Sequence, residues 1–423
     1  MVNWYSTILV AVTCLTTLAC AGSPAIKPSS LGYRKNPTAT NVVLFTDGTN
    51  FDQFLSMLML IKSQNSKLLA TYVVGNSWAH PGAAVNMLYD AFHMFGDDST
   101  PVYAGSHYSL FAEQNNTLLG HNPQRDLFAH AVTAGYGGLV FYDTLMGLAD
   151  QLPSGPRHFN PMNRDPVEDG NTAATSDSSL LALVDLIASL PTGQRVTFLA
   201  HDPLTPIAKM FDLPSGQLDL ILARLDGIYV MTGAFGVDGN LFPMLAYNNK
   251  TEFNAYLDSL ALYVVLEKCK LHNIPITIVP LDATNQVPVT LASVEALRDN
   301  PKTPEAQLIG LLFDRVITTW FDPTFYFNSA FFWDTCVTSL ILSPGLAVAP
   351  APEIECVKVV TDAGVLGFNQ GQTLSVPYGT GCATGYYPAR IVRNIDGAGV
   401  STLIINTMQS RINSAKYPLW FPK

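Results

Sequence analysis

The sequence predicts an α/β fold, an open and mostly parallel sheet with helices on both faces. Three observations carry this. Short, unbroken apolar runs such as "VVLFT" and "ITIV" recur along the chain, and strands buried on both faces read this way. Segments with helical apolar spacing stand between these runs, the alternation that yields a parallel sheet. Polar clusters at 47–52, 75–76 and 201–205 follow three of the runs, and such sheets hold ligands at the carboxyl ends of their strands.

Taken in order, residues 42–46 form the first strand and 51–62 a helix. Residues 68–74 give a second strand. Pro81 suits the first turn of a helix, and helical spacing continues to 94. A short third strand fits 102–104. Residues 150–177 are rich in Pro, Gly, Asn and Asp and read as a long loop. A helix over 180–190, a strand over 195–200, a short helix over 206–211 and a strand over 227–232 follow. Residues 252–272 have the length and spacing of one long helix, and 276–279 is a strand. Helices are expected within 304–319 and 328–342. Residues 353–405 mix short β runs with Gly-rich turns. The expected organisation is one domain over 41–423 with a β-rich C-terminal extension from about 350.

Composition narrows the function. The 423 residues are 48% apolar and only 13% charged, which suits a packed chain. The formal net charge is −10 with no Lys/Arg block, so nucleic acid is a poor partner. A metal cation or a neutral small molecule fits better. At the N-terminus, "TILVAVTCLTTL" followed by "ACAGS" reads as a secretory signal peptide over 1–21, cleaved after Ala21, ahead of a flexible Pro/Ser/Ala-rich tail over 22–40. The expected location is extracellular, with no membrane contact after cleavage: no later stretch reaches the ~20 apolar residues of a span. Beyond the leader, Cys269, Cys336, Cys356 and Cys382 match no zinc pattern; disulfides are allowed and their pairing is open. Asn115 and Asn249 head Asn-x-Thr glycan sequons. Homo-oligomerisation is left open.

The first polar cluster carries the most chemistry. "VVLFTDGTNFDQF" places Asp47 and Asp52 across a strand-to-helix turn, where both can point at one spot. Hard cations want several oxygen ligands, so a calcium or magnesium site is one reading; a helix cap plus a solvated carboxylate is the other. A phosphatase reading of "LFTDGT" fails, because its nucleophilic Asp would fall on Phe45.

At this point the chain resembles the inosine/uridine-preferring nucleoside hydrolases, most of all the secreted plant-type members. Their opening strand leads into Asp-x-Asp-Pro-Gly-x-Asp-Asp, which sets Asp47 and Asp52 on two of the acids. "VVGNSW" matches their Gly-Asn, "HDPLTPIAKMF" their Gly-Pro-Leu-Thr-Asn-Ile-Ala, and "MTGAFGVDGN" their Met-Gly-Gly strand end. "TEFNAYLDS", "TIVPLDATNQV" and "FFWDTCVTSLILSP" match later segments in the same order, over about residues 41–345. The resemblance implies the Rossmann-like nucleoside hydrolase fold and hydrolysis of a ribonucleoside, uridine or inosine for example, to base and ribose. It implies a calcium ion on Asp47, Asp52, Asp334 and the carbonyl of Thr205, with Asp47 as the base. It also implies substrate contacts from Asn76, Asn240, Glu252, Phe253, Asn254 and Trp333. Extra residues before Glu252 make Asn248 or Asn249 alternatives to Asn240.

Each of these residues has a plainer reading. Asn76 can cap a turn, Glu252 and Asn254 can begin a helix, and Asp334 can be a carboxylate held by backbone donors. Asp258 reads as structural, and His80, His107 and His201 as solvent-facing rather than as acids. The sequence also departs from the family pattern. Phe45 and Phe51 stand where the family has acids, Gly48 and Thr49 replace Pro-Gly, and Trp333 replaces a His. Phe51 cannot accept a hydrogen bond, which raises the rival expectation of a catalytically impaired protein that binds a nucleoside, sugar or protein partner.

Overall fold

The computed structural model describes residues 39–48, 50–77, 81–94, 100–105, 109–110, 172–241, 248–320, 330–361 and 369–411. The leader, Asn115, His80 and His107 lie outside these residues.

The first β-α-β unit runs β1 (Thr40–Thr46), α1 (Phe51–Lys62), β2 (Ser66–Val73), then α2 (Pro81–Met94) and β3 (Val102–Ala104). After α3 (Thr172–Ala188) come β4 (Val196–Ala200), α4 (Thr205–Phe211), α5 (Ser215–Leu222) and β5 (Leu225–Met231). Then follow α6 (Phe253–Leu257), α7 (Ser259–His272), β6 (Ile276–Val279), α8 (Leu281–Thr284), α9 (Leu291–Arg298), α10 (Pro304–Trp320) and α11 (Trp333–Leu342). The chain closes with β7 (Glu353–Val359), β8 (Thr373–Pro377), β9 (Tyr387–Ile391) and α12 (Gly397–Gln409).

Among the described residues the strands form one 9-stranded sheet, ordered β3-β2-β1-β4-β5-β6-β9-β7-β8. From β3 to β9 each neighbouring pair is parallel, and β7 runs antiparallel to both β8 and β9. The mostly parallel α/β sheet expected from the sequence is therefore the fold. The C-terminal strands lengthen this sheet instead of forming a layer of their own.

Alternation along β1 explains the two helical layers. Val42 and Leu44 face a core shared with α1, α2, α10, α11 and α12. Val43 and Phe45 face a second core shared with α3, α4, α5 and α7. Phe45 packs there against Tyr72 and Phe198, with ring centroids 5.7 and 5.1 Å away. The strand order reverses between β1 and β4. Chains leaving those two strands turn to opposite faces and open a crevice at their carboxyl ends, the position where such sheets bind ligands.

Three sequence expectations need correction. The expected single helix over 252–272 breaks at Asp258, whose φ of −148° is not helical. Its side chain instead caps α7 by accepting from Ala261 N–H. The expected loop over 150–177 gives way to helix at Thr172. Within the expected β region, residues 397–409 are helical, capped by Asp396. Of the four cysteines, Cys356 and Cys382 are bonded, and Cys269 and Cys336 are buried thiols. No helix among the described residues is long and apolar enough to cross a membrane.

Candidate active site

The crevice is built from the turns that leave β1, β2, β4 and β5 and from the start of α11. Asp47 follows β1 and is completely buried. The turn after it depends on Gly48, whose φ is +70° and whose missing Cβ would lie 2.9 Å from Leu88 Cδ2. Gly48 N–H donates to Thr46 Oγ1 at 3.0 Å and to Gln53 Oε1 at 3.1 Å. The turn therefore delivers α1 with Asp52 in its first turn, where the helix dipole favours a carboxylate.

Asp52 and Asp334 meet although 282 residues separate them. The backbone N–H of Asp334 donates to Asp52 Oδ2 at 2.7 Å, and Thr335 Oγ1 donates to the Asp52 carbonyl at 2.9 Å. The N-terminal ends of α1 and α11 are thus clamped together. Asp52 Oδ1 and Asp334 Oδ1 are buried and have no hydrogen-bond partner. Burial pushes the Asp52 carboxyl up to about 7, against the pull of the amides around it. Burial, and then the charges of Asp52, Asp202, Glu252 and Asp47, raise Asp334 well above the usual carboxylate range.

A second network joins β2, β4 and α7. Asn76 Nδ2 donates to Thr205 Oγ1 at 3.0 Å, and Thr205 Oγ1 donates to Asp258 Oδ2 at 2.6 Å. Asp258 also accepts the backbone N–H of Leu110 at 2.7 Å. It is structural, as the sequence suggested. Asn76 Oδ1 remains buried without a partner. His201 is completely buried, which corrects the solvent-facing expectation. Burial holds its imidazole down at about 3, so it is neutral and is no acid near neutral pH. Its Nε2 pairs with Thr338 Oγ1 at 3.0 Å.

Beyond β5, Glu252 spans two segments. Its carboxylate accepts Asn254 N–H, Ala255 N–H, Gly233 N–H and Thr232 Oγ1–H at 2.8–3.2 Å. The helix-cap reading therefore holds for Glu252. Asn254 Nδ2 is spent on the carbonyls of His201 and Met231. Asn240 Oδ1 accepts Phe253 N–H at 2.8 Å, and Phe253 is buried. Asn248 is buried and donates to the Gln370 carbonyl at 3.2 Å, whereas Asn249 is exposed.

Phe51 turns into an aromatic cluster, with ring centroids 5.8 Å from Phe313 and 6.4 Å from Trp333. Trp333 Nε1 donates to Asn285 Oδ1 at 3.4 Å. The residues just before Asp52 and Asp334, Phe51 and Trp333, thus pack against one another.

Asp202 was missed by the sequence reading. It lies in "HDPLTPIAKMF", and the available signal was an acid immediately beyond a buried strand. Its carboxylate accepts from Asp47 N–H, Ser77 Oγ and Gln53 Nε2.

Comparison with known proteins identifies the family. The model for the inosine-uridine preferring nucleoside hydrolases matches residues 42–402. The chain belongs to that family. Among curated relatives, Nucleoside hydrolase 3 of Arabidopsis thaliana is 27% identical over 348 residues, covering 72% of this chain and 36% of that protein. Nucleoside hydrolase 4 of the same plant is 28% identical over 329 residues, covering 76% and 57%. The matched part is thus well short of those relatives' full lengths. Among solved structures, the plant nucleoside hydrolase PpNRh1 superposes with a TM-score of 0.62 at 18% identity, over 88% of this chain and 99% of that one. The inosine-uridine preferring nucleoside hydrolase from Bacillus anthracis gives 0.59 at 17% identity, over 88% and 99%. These likenesses show a shared fold.

The residues present suit a hard cation in their chemistry. Calcium takes carboxylate and carbonyl oxygens, and Asp52 Oδ1 and Asp334 Oδ1 are two buried oxygens without a hydrogen-bond partner. Yet among the described residues no three His, Cys, Asp or Glu side chains converge as a ready-made metal cluster. A cation there would take part of its coordination from these carboxylates and would need the rest from other oxygens.

Proposed function

We propose that this chain is an exported, calcium-dependent N-ribohydrolase that splits ribonucleosides such as uridine and inosine into base and ribose. One observation carries the reading. In a member of this family, Asp52 and Asp334 are clamped end to end, each keeping one buried oxygen unpartnered at the carboxyl edge of the sheet. Folding buries these charges at a cost, and a cation between them would offset it.

Asp52 and Asp334 would hold the ion, and Asp47 and the Thr205 carbonyl would have to close around it, since no three acids converge among the described residues. When bound, calcium supplies a lowered pKa to a water in the crevice. The chain's own groups do the rest. Asp47, in the turn that leaves β1, would accept the proton of the attacking water as the general base. Asn76 Oδ1, the amide oxygen without a protein partner, accepts a hydroxyl of the sugar. Glu252, already holding four donors, fixes the β5 turn and adds negative charge near the sugar, where positive charge develops as the N-glycosidic bond breaks. Asn240, Phe253, Asn254 and Trp333 shape the remaining walls. Trp333 carries no proton suited to the leaving base, so protonation of the base falls to solvent or to another group.

Export is supported by the leader-like N-terminus and the Cys356–Cys382 disulfide, and exposed Asn249 is a reachable glycan acceptor. The rival reading, a binding protein without catalysis, is favoured by the apolar placement of Phe51. Release of reducing sugar from uridine and inosine, beside an Asp47→Asn control, separates the two. Equal silence of wild type and control on common nucleosides would remove the enzyme.

A further inference from the structure

We infer that Asp202 is a positioning residue that aims Asp47, by tying the β1 turn to the turns that leave β2 and β4. The inference rests on the reading of Asp47 as the base.

The geometry is specific. Asp202 Oδ2 accepts the backbone N–H of Asp47 itself. Oδ1 accepts Ser77 Oγ–H from the β2 turn and Gln53 Nε2–H, at 3.1 Å, from the first turn of α1. Gln53 Oε1 in turn accepts Gly48 N–H at 3.1 Å. The turn that carries Asp47 is therefore held at Asp47 directly and at Gly48 through Gln53. Both of these holds end on one carboxylate, beside a local bond from Gly48 N–H to Thr46 Oγ1 at 3.0 Å.

On β1 the side chain of Thr46 serves Gly48 N–H, whereas the Asp47 N–H bond goes to Asp202. Phe45, two residues before Asp47, faces the apolar cluster with Tyr72 and Phe198. Asp202 reaches across from the adjacent strand because β1 and β4 pair in register, Phe45 opposite Ala200, and His201 N–H donates to the Phe45 carbonyl at 2.9 Å. That register places residue 202 level with residue 47. All the groups involved are buried, so water cannot replace a lost acceptor.

An amide at this position cannot do the same work. Asn offers one acceptor oxygen and two N–H donors where the site presents donors to both oxygens. If the amide oxygen faces Asp47, its NH2 faces Gln53 Nε2. Flipping Gln53 then sets an NH2 against Gly48 N–H. The turn must move in either case.

The test compares wild type, Asp202→Asn and the milder Gln53→Met, which removes only the Gly48 bridge. Three readouts apply: calcium affinity by titration calorimetry, the separate effects on kcat and KM for uridine, and amide hydrogen exchange of the segment 46–54. For Asp202→Asn we expect calcium to bind at least tenfold more weakly. We expect kcat to fall at least tenfold with KM changed less than threefold, and exchange across 46–54 at least tenfold faster while β5 is unchanged. Gln53→Met should move each quantity the same way by a smaller factor. Unchanged exchange at 46–54 in Asp202→Asn, or unchanged calcium affinity, would overturn the inference. Wild type silent on nucleosides would sink the hydrolase reading alone, because exchange still decides whether Asp202 holds the turn.

Discussion

Replacing Asp52 with Asn should stabilise the calcium-free protein and weaken the calcium-bound one. Asp52 is wholly buried, and its carboxyl is pushed from 3.8 to about 7 by that burial. A group raised in the folded state contributes stability that is complete below the unfolded value and is lost as pH rises through the folded one. Between 3.8 and about 7 the unfolded chain gives up its proton and the folded chain keeps it. At about 1.4 kcal/mol per pH unit, some three units amount to roughly 4 kcal/mol by pH 8, an upper figure. Asn does not titrate, so the variant escapes this loss, and it still offers an acceptor to Asp334 N–H. For a chain of this size the gain corresponds to about 5 °C in melting temperature. Calcium reverses the order. A ligand at about a thousandfold over its Kd stabilises the wild type by about 4 kcal/mol, and a variant that lacks the ligand oxygen gains little. Thermal melts at pH 8, with EGTA and with saturating calcium, read both effects. If Asp52→Asn melts below wild type in EGTA, or if calcium raises both proteins equally, the carboxylate is satisfied by the protein alone and the reasoning fails.

Two further outcomes follow from the same site. Phe51→Asp would set a charge among Phe313 and Trp333. Chemical denaturation in EGTA should show a loss of about 3–5 kcal/mol, as for emptying a buried aromatic site; a loss below about 1 kcal/mol would mean that the ring is not packed as described. If the new carboxylate reaches the crevice, calcium should restore part of that loss and ribose release should increase. His201 is held at about 3 by burial, against 6.5 in the open chain. The unfolded state therefore takes up a proton that the folded state refuses, and stability is lost as pH falls below 6.5. Relative to His201→Gln, which can keep a bond to Thr338, wild type should be about 2 kcal/mol less stable at pH 5 than the comparison at pH 7.5 predicts. Parallel denaturation curves at both pH values for the two proteins would contradict this.

Much of the fold was legible because local pattern and tertiary position agree. The strand 40–46 is buried on both faces, so it reads as an unbroken apolar run, and the acids beyond it sit where the sheet opens. The family resemblance added order to clusters that were weak singly. What stayed hidden depended on partners distant in the chain. Asp258 breaks the helix over 252–272 because its carboxylate serves Leu110, Thr205 and Ala261 at once, and the first two are 148 and 53 residues away. The helix 397–409 begins with glycines and is rich in Val, Thr and Ile, a composition that local propensity assigns to strand. Glu252 and Asn254 looked like sugar ligands, and only the structure shows how far their atoms are committed to the backbone. Asp202 needed the β1–β4 register before its proximity to Asp47 could be seen.

Ribose release measured against free calcium is the most direct test of the account. Chain stripped with EGTA should be inactive on uridine and inosine, and activity should rise to saturation as calcium is restored. It should be absent at every calcium concentration in Asp47→Asn. Ribose release that ignores both calcium and Asp47, or wild type that stays as silent as Asp47→Asn throughout, would contradict a calcium-held water and an Asp47 base.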